Sequence, residues 1–212
     1  MAQPVVADRS AADREPTLPI QDFIAEVEQL HESGLTREKL IAGVESRLSK
    51  LVWQPDLLWP EQREPWADHY RSHLVAVAPS RRFSVVALVW LPGQATPIHD
   101  HISWCVVSVM DGLEAETRYH LRQDANGFRW LSPTGEVPVT RGETSALIPP
   151  EENIHLVRNA GDQLAISIHV YGADIGVMGT SINQIFDDLP VREDMSGQQV
   201  SWRLIRNLET GK

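Results

Sequence analysis

The sequence predicts a mainly β fold, an antiparallel β-barrel with a helical element on its N-terminal side. Three observations lead there. Between residues 70 and 171 the chain runs through short stretches rich in β-branched and aromatic residues: "FSVVALVW", "SWCVVSVM", "AETRYHL", "FRWL", "TSALI" and "LAISIHVY". Glycine, proline and the Asn126-Gly127 pair, a strong hairpin signal, separate them. Upstream, apolar residues recur every three or four positions, which is the helical period. Many short strands at this spacing indicate a sandwich or barrel.

Taken in order, residues 1–18 are polar and rich in alanine and charge, and are expected to be loose. Ile20, Phe23, Ile24, Val27 and Leu30 mark a first helix that stops at Gly34. Thr36 is placed to cap a second helix with Leu40, Ile41, Val44, Leu48 and Leu51 along one stripe. Trp53, Trp59 and Trp66 follow among prolines. An irregular segment pinned by core packing of these rings is expected, in preference to a sugar or nucleic-acid platform. The chain thus divides into a flexible segment 1–18, a helical element 19–66, a barrel 67–180 and a C-terminal extension 181–212. His31 and His120 are expected at the surface. His69 and His73 flank a possible substrate strand.

Composition narrows the partners. The 212 residues are 42% hydrophobic and 23% charged, an ordinary globular mixture. A net charge of −10 argues against nucleic acid and against an anionic membrane surface. The single cysteine excludes an intramolecular disulfide and suits a reducing compartment. The first residues do not read as a signal peptide, and no apolar run approaches the roughly 18 residues of a membrane span, so a cytoplasmic location is expected. Nothing in the sequence specifies an oligomeric state.

The chemistry concentrates in "PIHDHISWC", where His99, His101 and Cys105 put three metal-binding groups within seven residues. On a strand, positions i and i+2 face the same way, so the two histidines can point together into a barrel. Taken alone, an HxH is better read as two surface histidines in a loop. The frame around it runs from Gly93 through His99, His101 and Cys105 to Gly112, and resembles the first cupin motif with Cys105 at the usual glutamate position. Pro150, His155 and Asn159 resemble the second, with Glu152 where glycine is usual. Together they imply a metal site of His99, His101 and His155. Three neutral imidazoles suit Fe(II) with an anionic incoming ligand, or Zn²⁺ activating water. In "LAISIHVY", Ser167, His169 and Tyr171 share one face, either as a structural hydrogen-bonded row or as a relay aimed at the metal.

The runs "TPIHDHISWCVVSVMDG", "IHLVRNAG" and "AISIHVYGADIG" resemble the thiol dioxygenases, which include cysteine dioxygenase and 3-mercaptopropionate dioxygenase. The resemblance implies a cupin barrel, Fe(II) on His99, His101 and His155, and a Ser167–His169–Tyr171 relay. It also implies a small thiol, cysteine or a related mercapto acid, and O₂ as substrates, with a sulfinic acid as product. Two departures bear on the thiol. Family members anchor a substrate carboxylate through an arginine or glutamine two residues after a tyrosine, and here Tyr70 is followed by Arg71 and Ser72. The arginine that some bacterial members carry after the last strand is replaced by Gly179 and Thr180. Arg71 entering through a bulge, Arg118, or a different substrate would answer the loss. Cys105 stands near the cysteine that forms a thioether with the tyrosine in mammalian members. A plain buried thiol and a fourth metal ligand are its other readings. The rival functions are another cupin oxygenase, such as a diketone-cleaving one, and a non-catalytic small-molecule-binding cupin.

Overall fold

A computed structural model describes residues 14–150 and 153–193. Most of the expected loose segment 1–18, Glu152, and most of the expected extension lie outside these residues. Helices α1 (Leu18–Glu32) and α2 (Arg37–Leu51) form where the apolar stripes recur. Gly34 turns the chain between them at φ 68°, and the Thr36 hydroxyl accepts from the Lys39 amide at 3.4 Å, satisfying one of the free N–H groups of α2.

Ten strands follow: β1 (Arg71–Val77), β2 (Ser84–Trp90), β3 (His99–His101), β4 (Cys105–Asp111), β5 (Glu114–Gln123), β6 (Arg129–Val139), β7 (Thr144–Leu147), β8 (Ile154–Asn159), β9 (Ala165–Tyr171) and β10 (Ile182–Ile185). They form two five-stranded sheets, ordered β1-β2-β9-β4-β7 and β10-β3-β8-β5-β6. This is the cupin barrel. A short helix, α3 (Ile175–Met178), links β9 to β10. The barrel therefore continues past residue 180, because β10 pairs with β3 (Ile182 opposite His101, Ile185 opposite His99).

β2 and β9 are buried along their whole length, which explains why β2 reads as a nearly continuous apolar run and why the polar residues of β9 lie inside the barrel. Val85, Ala87 and Val89 of β2, with Ile166, Ile168 and Val170 of β9, pack outward against Ile20, Val27, Ile41, Val44 and Leu48 of the helices. Val86, Leu88 and Trp90 point inward with Val107, Leu147 and Tyr171. The helices thus brace the outside of the sheet whose inner face carries Ser167, His169 and Tyr171.

Two expectations need correction. The tryptophans are not core rings: Trp53 and Trp66 are 58% and 43% exposed. Leu57 and Leu58 anchor that segment in the core, and each indole instead carries a guanidinium on its face: Arg141 on Trp53, Arg14 on Trp59, Arg71 on Trp66. His31 is not a free surface residue, since its ring stacks on Phe83 with centroids 5.7 Å apart. His120 is half-buried on β5. No helix among the described residues is long and apolar enough to cross a membrane.

Candidate metal centre

β3 and β8 bring three histidines to one point. His99 and His101 lie on the inward face of β3 with Asp100 turned away, and His155 stands directly opposite His99 on β8. All three are buried, and their ligand atoms lie within 4.8 Å of one another. Each ring is fixed through Nδ1: His99 to the Pro97 carbonyl at 2.9 Å, His101 to the Ser181 carbonyl at 3.3 Å, His155 to a Glu116 carboxylate oxygen at 3.0 Å. Carbonyl and carboxylate oxygens only accept, so each Nδ1 carries the proton and each Nε2 presents a lone pair. The Nε2 atoms of His101 and His155 are 2.9 Å apart. Two lone pairs facing at that distance repel, and a shared cation removes the conflict. The donor set thus fits a metal ion bound by neutral imidazoles. Burial first, then mutual repulsion with His155, pushes His99 down to about 3, and burial holds His101 well below its ordinary value. Both stay neutral.

Glu116 is the residue the sequence did not flag. It is buried on β5, accepts from His155, and also bonds Arg118 and the Ser145 hydroxyl. Burial works to raise its carboxyl, but His155, Arg118 and Ser145 together hold it at about 2, so it is ionised. A carboxylate orienting a ligating imidazole is a recurrent support for metal sites. The stretch "EAETRYHL" puts Glu114 and Glu116 on one strand face, but nothing local to it points to His155.

The polar face of β9 forms a chain of contacts. Ser167 Oγ lies 2.9 Å from His169 Nε2, and His169 Nδ1 lies 3.2 Å from the Tyr171 hydroxyl. Trp90 Nε1 donates to Ser167 Oγ at 3.3 Å. Tyr171 also hydrogen-bonds the Ser181 side chain, and its ring centroid is 5.6 Å from that of His101. Burial drives His169 down to about 3 and Tyr171 well above its ordinary range, so both are neutral. Cys105 is fully buried opposite Tyr171 on the neighbouring strand. Its Sγ lies 4.0 Å from His169 Nδ1, and it is not part of the three-histidine cluster.

The histidines and Tyr171 open onto a cavity of about 30 Å³. Tyr70, Ser72, Thr180 and Ser181 give it hydroxyls, while Val86, Leu88 and Ile175 give it apolar wall. Among the described residues lining it there is no arginine or lysine. Arg71 sits on the opposite strand face from Tyr70 and Ser72, beside Glu64 at 3.6 Å and over Trp66; the bulge in β1 falls later, at Leu74/Ala76. Arg118 is engaged by Glu116, Ser145 and the Ala146 carbonyl. Gly179 caps α3 at φ 78° and leaves the lining to Thr180. His73 is buried but outside the cavity, 3.3 Å from the Glu64 carbonyl, and His69 is exposed beside Trp66.

A cupin barrel with a buried three-histidine cluster is a known class of metal-binding protein, and the comparison with protein families is specific. The family model for cysteine dioxygenase type I matches residues 63–176, more than half of the chain, and the protein belongs to that family. Solved structures with similar folds include TT1209 from Thermus thermophilus, at 20% identity over 53% of this chain and 91% of that one, with a TM-score of 0.38. A double-stranded β-helix protein from Klebsiella pneumoniae is 18% identical over 58% of this chain and 95% of its own, with a TM-score of 0.41. A recombinant oxalate oxidase with glycolate is 17% identical over 57% and 61%, with a TM-score of 0.41.

Proposed function

We propose that the protein is an Fe(II)-dependent thiol dioxygenase that converts a small thiol and O₂ to the sulfinic acid. The observation that carries this reading is the buried His99, His101, His155 cluster opening with Tyr171 onto one small cavity, in a chain of the cysteine dioxygenase family. The atoms balance as thiol plus O₂ giving sulfinate plus a proton: sulfur loses four electrons, O₂ gains four, and both oxygens end on sulfur. No external reductant is required. Iron held by the three imidazoles supplies the redox chemistry that joins O₂ to sulfur.

The protein's own groups do the positioning. Three neutral ligands leave the ion's charge uncompensated, which favours a thiolate over a neutral thiol. Glu116 keeps His155 in the tautomer that presents Nε2. The Tyr171 hydroxyl, steadied by His169 and Ser181, stands over the cavity as a hydrogen-bonding group for the reacting atoms. Val86, Leu88 and Ile175 keep the space dry, which strengthens every polar contact within it. The lining offers the hydroxyl residues Tyr70, Ser72 and Thr180 rather than a guanidinium. An ionised carboxylate there would be left poorly paired, so the preferred thiol ends in a hydroxyl, amide or other uncharged group.

The test is O₂ consumption by the Fe(II)-loaded protein with cysteine, 3-mercaptopropionate, mercaptosuccinate, cysteamine and 2-mercaptoethanol. Thiol-dependent uptake with matching sulfinate is the expected result, the uncharged 2-mercaptoethanol giving a kcat/KM at least equal to the mercapto acids. Stoichiometric iron with no uptake for any thiol would refute the reaction. Uptake confined to the mercapto acids would refute the substrate preference alone.

A further inference from the structure

Glu114 is a buried carboxyl that the proposed reaction does not use. It lies on the inward face of β5, two positions before Glu116, and is 2% exposed. Its carboxyl hydrogen-bonds the Ser167 side chain and the Trp90 indole. Its other oxygen, Oε1, is buried without a hydrogen-bond partner. Beside it is a void of only about 10 Å³, walled by Val107, Val139 and Val157 as well as by polar groups. A void of that size is at the lower limit for a single water.

We propose that Glu114 is the far end of a four-membered proton chain, Glu114–Ser167–His169–Tyr171, and that its protonation selects the His169 tautomer and hence the direction of the Tyr171 hydroxyl. The tautomer and direction follow from counting donors. When Glu114 is protonated its O–H donates to Ser167 Oγ, Ser167 donates to His169 Nε2, and His169 Nδ1–H donates to the tyrosine oxygen. The Tyr171 O–H is then free to donate into the cavity or to Ser181. When Glu114 is ionised it accepts from Ser167, which must then accept from His169 Nε2–H. His169 Nδ1 becomes an acceptor and takes the Tyr171 O–H. The two states differ by one proton on the chain and by no electrons.

The surroundings favour the protonated form over a far wider pH range than in water. An orphaned carboxylate oxygen against valines is costly, whereas the neutral acid needs fewer partners. Burial raises Glu114 to about 7, against the smaller opposing effects of Ser167 and Trp90, and the nearby Glu116 charge adds to the rise. The titratable and charged groups around it are Glu116 and His155, which line the same void and pair with each other, Arg118 on the Glu116 carboxylate, and His169 beyond Ser167. Between pH 2 and 7, two carboxyls two residues apart on one strand are therefore held in opposite states, Glu116 ionised by its partners and Glu114 neutral by its burial. Such divergence is the arrangement by which sites separate an acid from a base. Glu114 neither lines the cavity nor belongs to the histidine cluster, so it is a positioning residue. Its bearing on catalysis rests on the dioxygenase reading, but the chain itself does not.

The experiment uses the full chain loaded with zinc, which is diamagnetic, in the absence of thiol and O₂. The ring nitrogens of ¹⁵N-labelled His169 are followed by NMR through neutral pH, with assignment from His169→Gln. The expected result is a one-proton exchange of the protonated nitrogen from Nδ1 to Nε2 as the pH is raised, lost in Glu114→Gln. An unchanging tautomer in the native protein, or the same midpoint in Glu114→Gln, would overturn the proposal. If that variant does not fold, infrared spectra of the native protein with labelled glutamate decide. A protonated-carboxyl band that fades over the same pH range as the tautomer exchange supports the chain, and its absence at every pH overturns it. Because these readouts need no turnover, they fail or succeed independently of the O₂-uptake test.

Discussion

Glu116 shows what one side chain does for a site it does not enter. Its ionised carboxylate sets the proton on His155 Nδ1, while Arg118 and Ser145 keep it from rotating away. Replacing it with glutamine removes the charge from these contacts and lets His155 sample the other tautomer. Glu116→Gln is expected to weaken metal binding about 10- to 100-fold, read as the iron or zinc dissociation constant from competition with a chelator. Unchanged affinity would remove Glu116 from the site's support. His99 and His101 were legible because the strand period puts them on one face and the frame around them resembles a cupin motif. Glu116 was not, because its value depends on β5 lying beside β8, a pairing between distant segments that no local pattern encodes. Arg71 marks the same boundary: alternation placed it opposite Tyr70 and Ser72, but only the structure shows Glu64 and Trp66 receiving it.

At the scale of elements, the local signals were strongest where backbone chemistry dictates them. Thr36 caps α2, and the apolar stripes of both helices are the buried ones. The Asn126-Gly127 turn does join β5 to β6, although Asp124 organises it by accepting from the Asn126 and Phe128 amides. The three tryptophans misled because an indole scores as apolar, whereas a guanidinium stacked on its face lets it stay at the surface. Gly112, between β4 and β5, has φ 76°, and a Cβ there would meet the Leu164 carbonyl at 2.7 Å and Ala165 at 2.8 Å. Backbone and a methyl at a strand start cannot swing aside as a long side chain can. Gly112→Ala is therefore expected to cost about 2 kcal/mol or more, combining left-handed strain with the clash. Chemical denaturation measures it, and a loss under about 0.5 kcal/mol, the scatter of ordinary surface substitutions, would show that this turn relaxes freely.

For the whole molecule, a barrel interior holding neutral histidines and two carboxyls in different states makes stability depend on pH in opposing ways. Glu116, held at about 2, contributes stability that is present above its unfolded value near 4.5 and lost as pH falls through 2. His99 and His169, both pushed to about 3, also favour the folded state less as pH falls below about 6.5, where the unfolded chain takes up protons. Glu114 runs the other way. Its folded value of about 7 lies above the unfolded 4.5, so between these the folded state holds the extra proton and stability declines as pH rises. Its contribution is fully present below 4.5 and gone above 7. Comparing the native protein with Glu114→Gln isolates this from the histidines, which both proteins share. The variant should gain stability relative to the native protein steadily from pH 4.5 to 7, by on the order of 3 kcal/mol in all, and by no more thereafter. Denaturant titrations at a series of pH values test it. Parallel stability curves would mean that Glu114 ionises in the folded protein as it does in water, despite its burial against the valines of β4, β6 and β8.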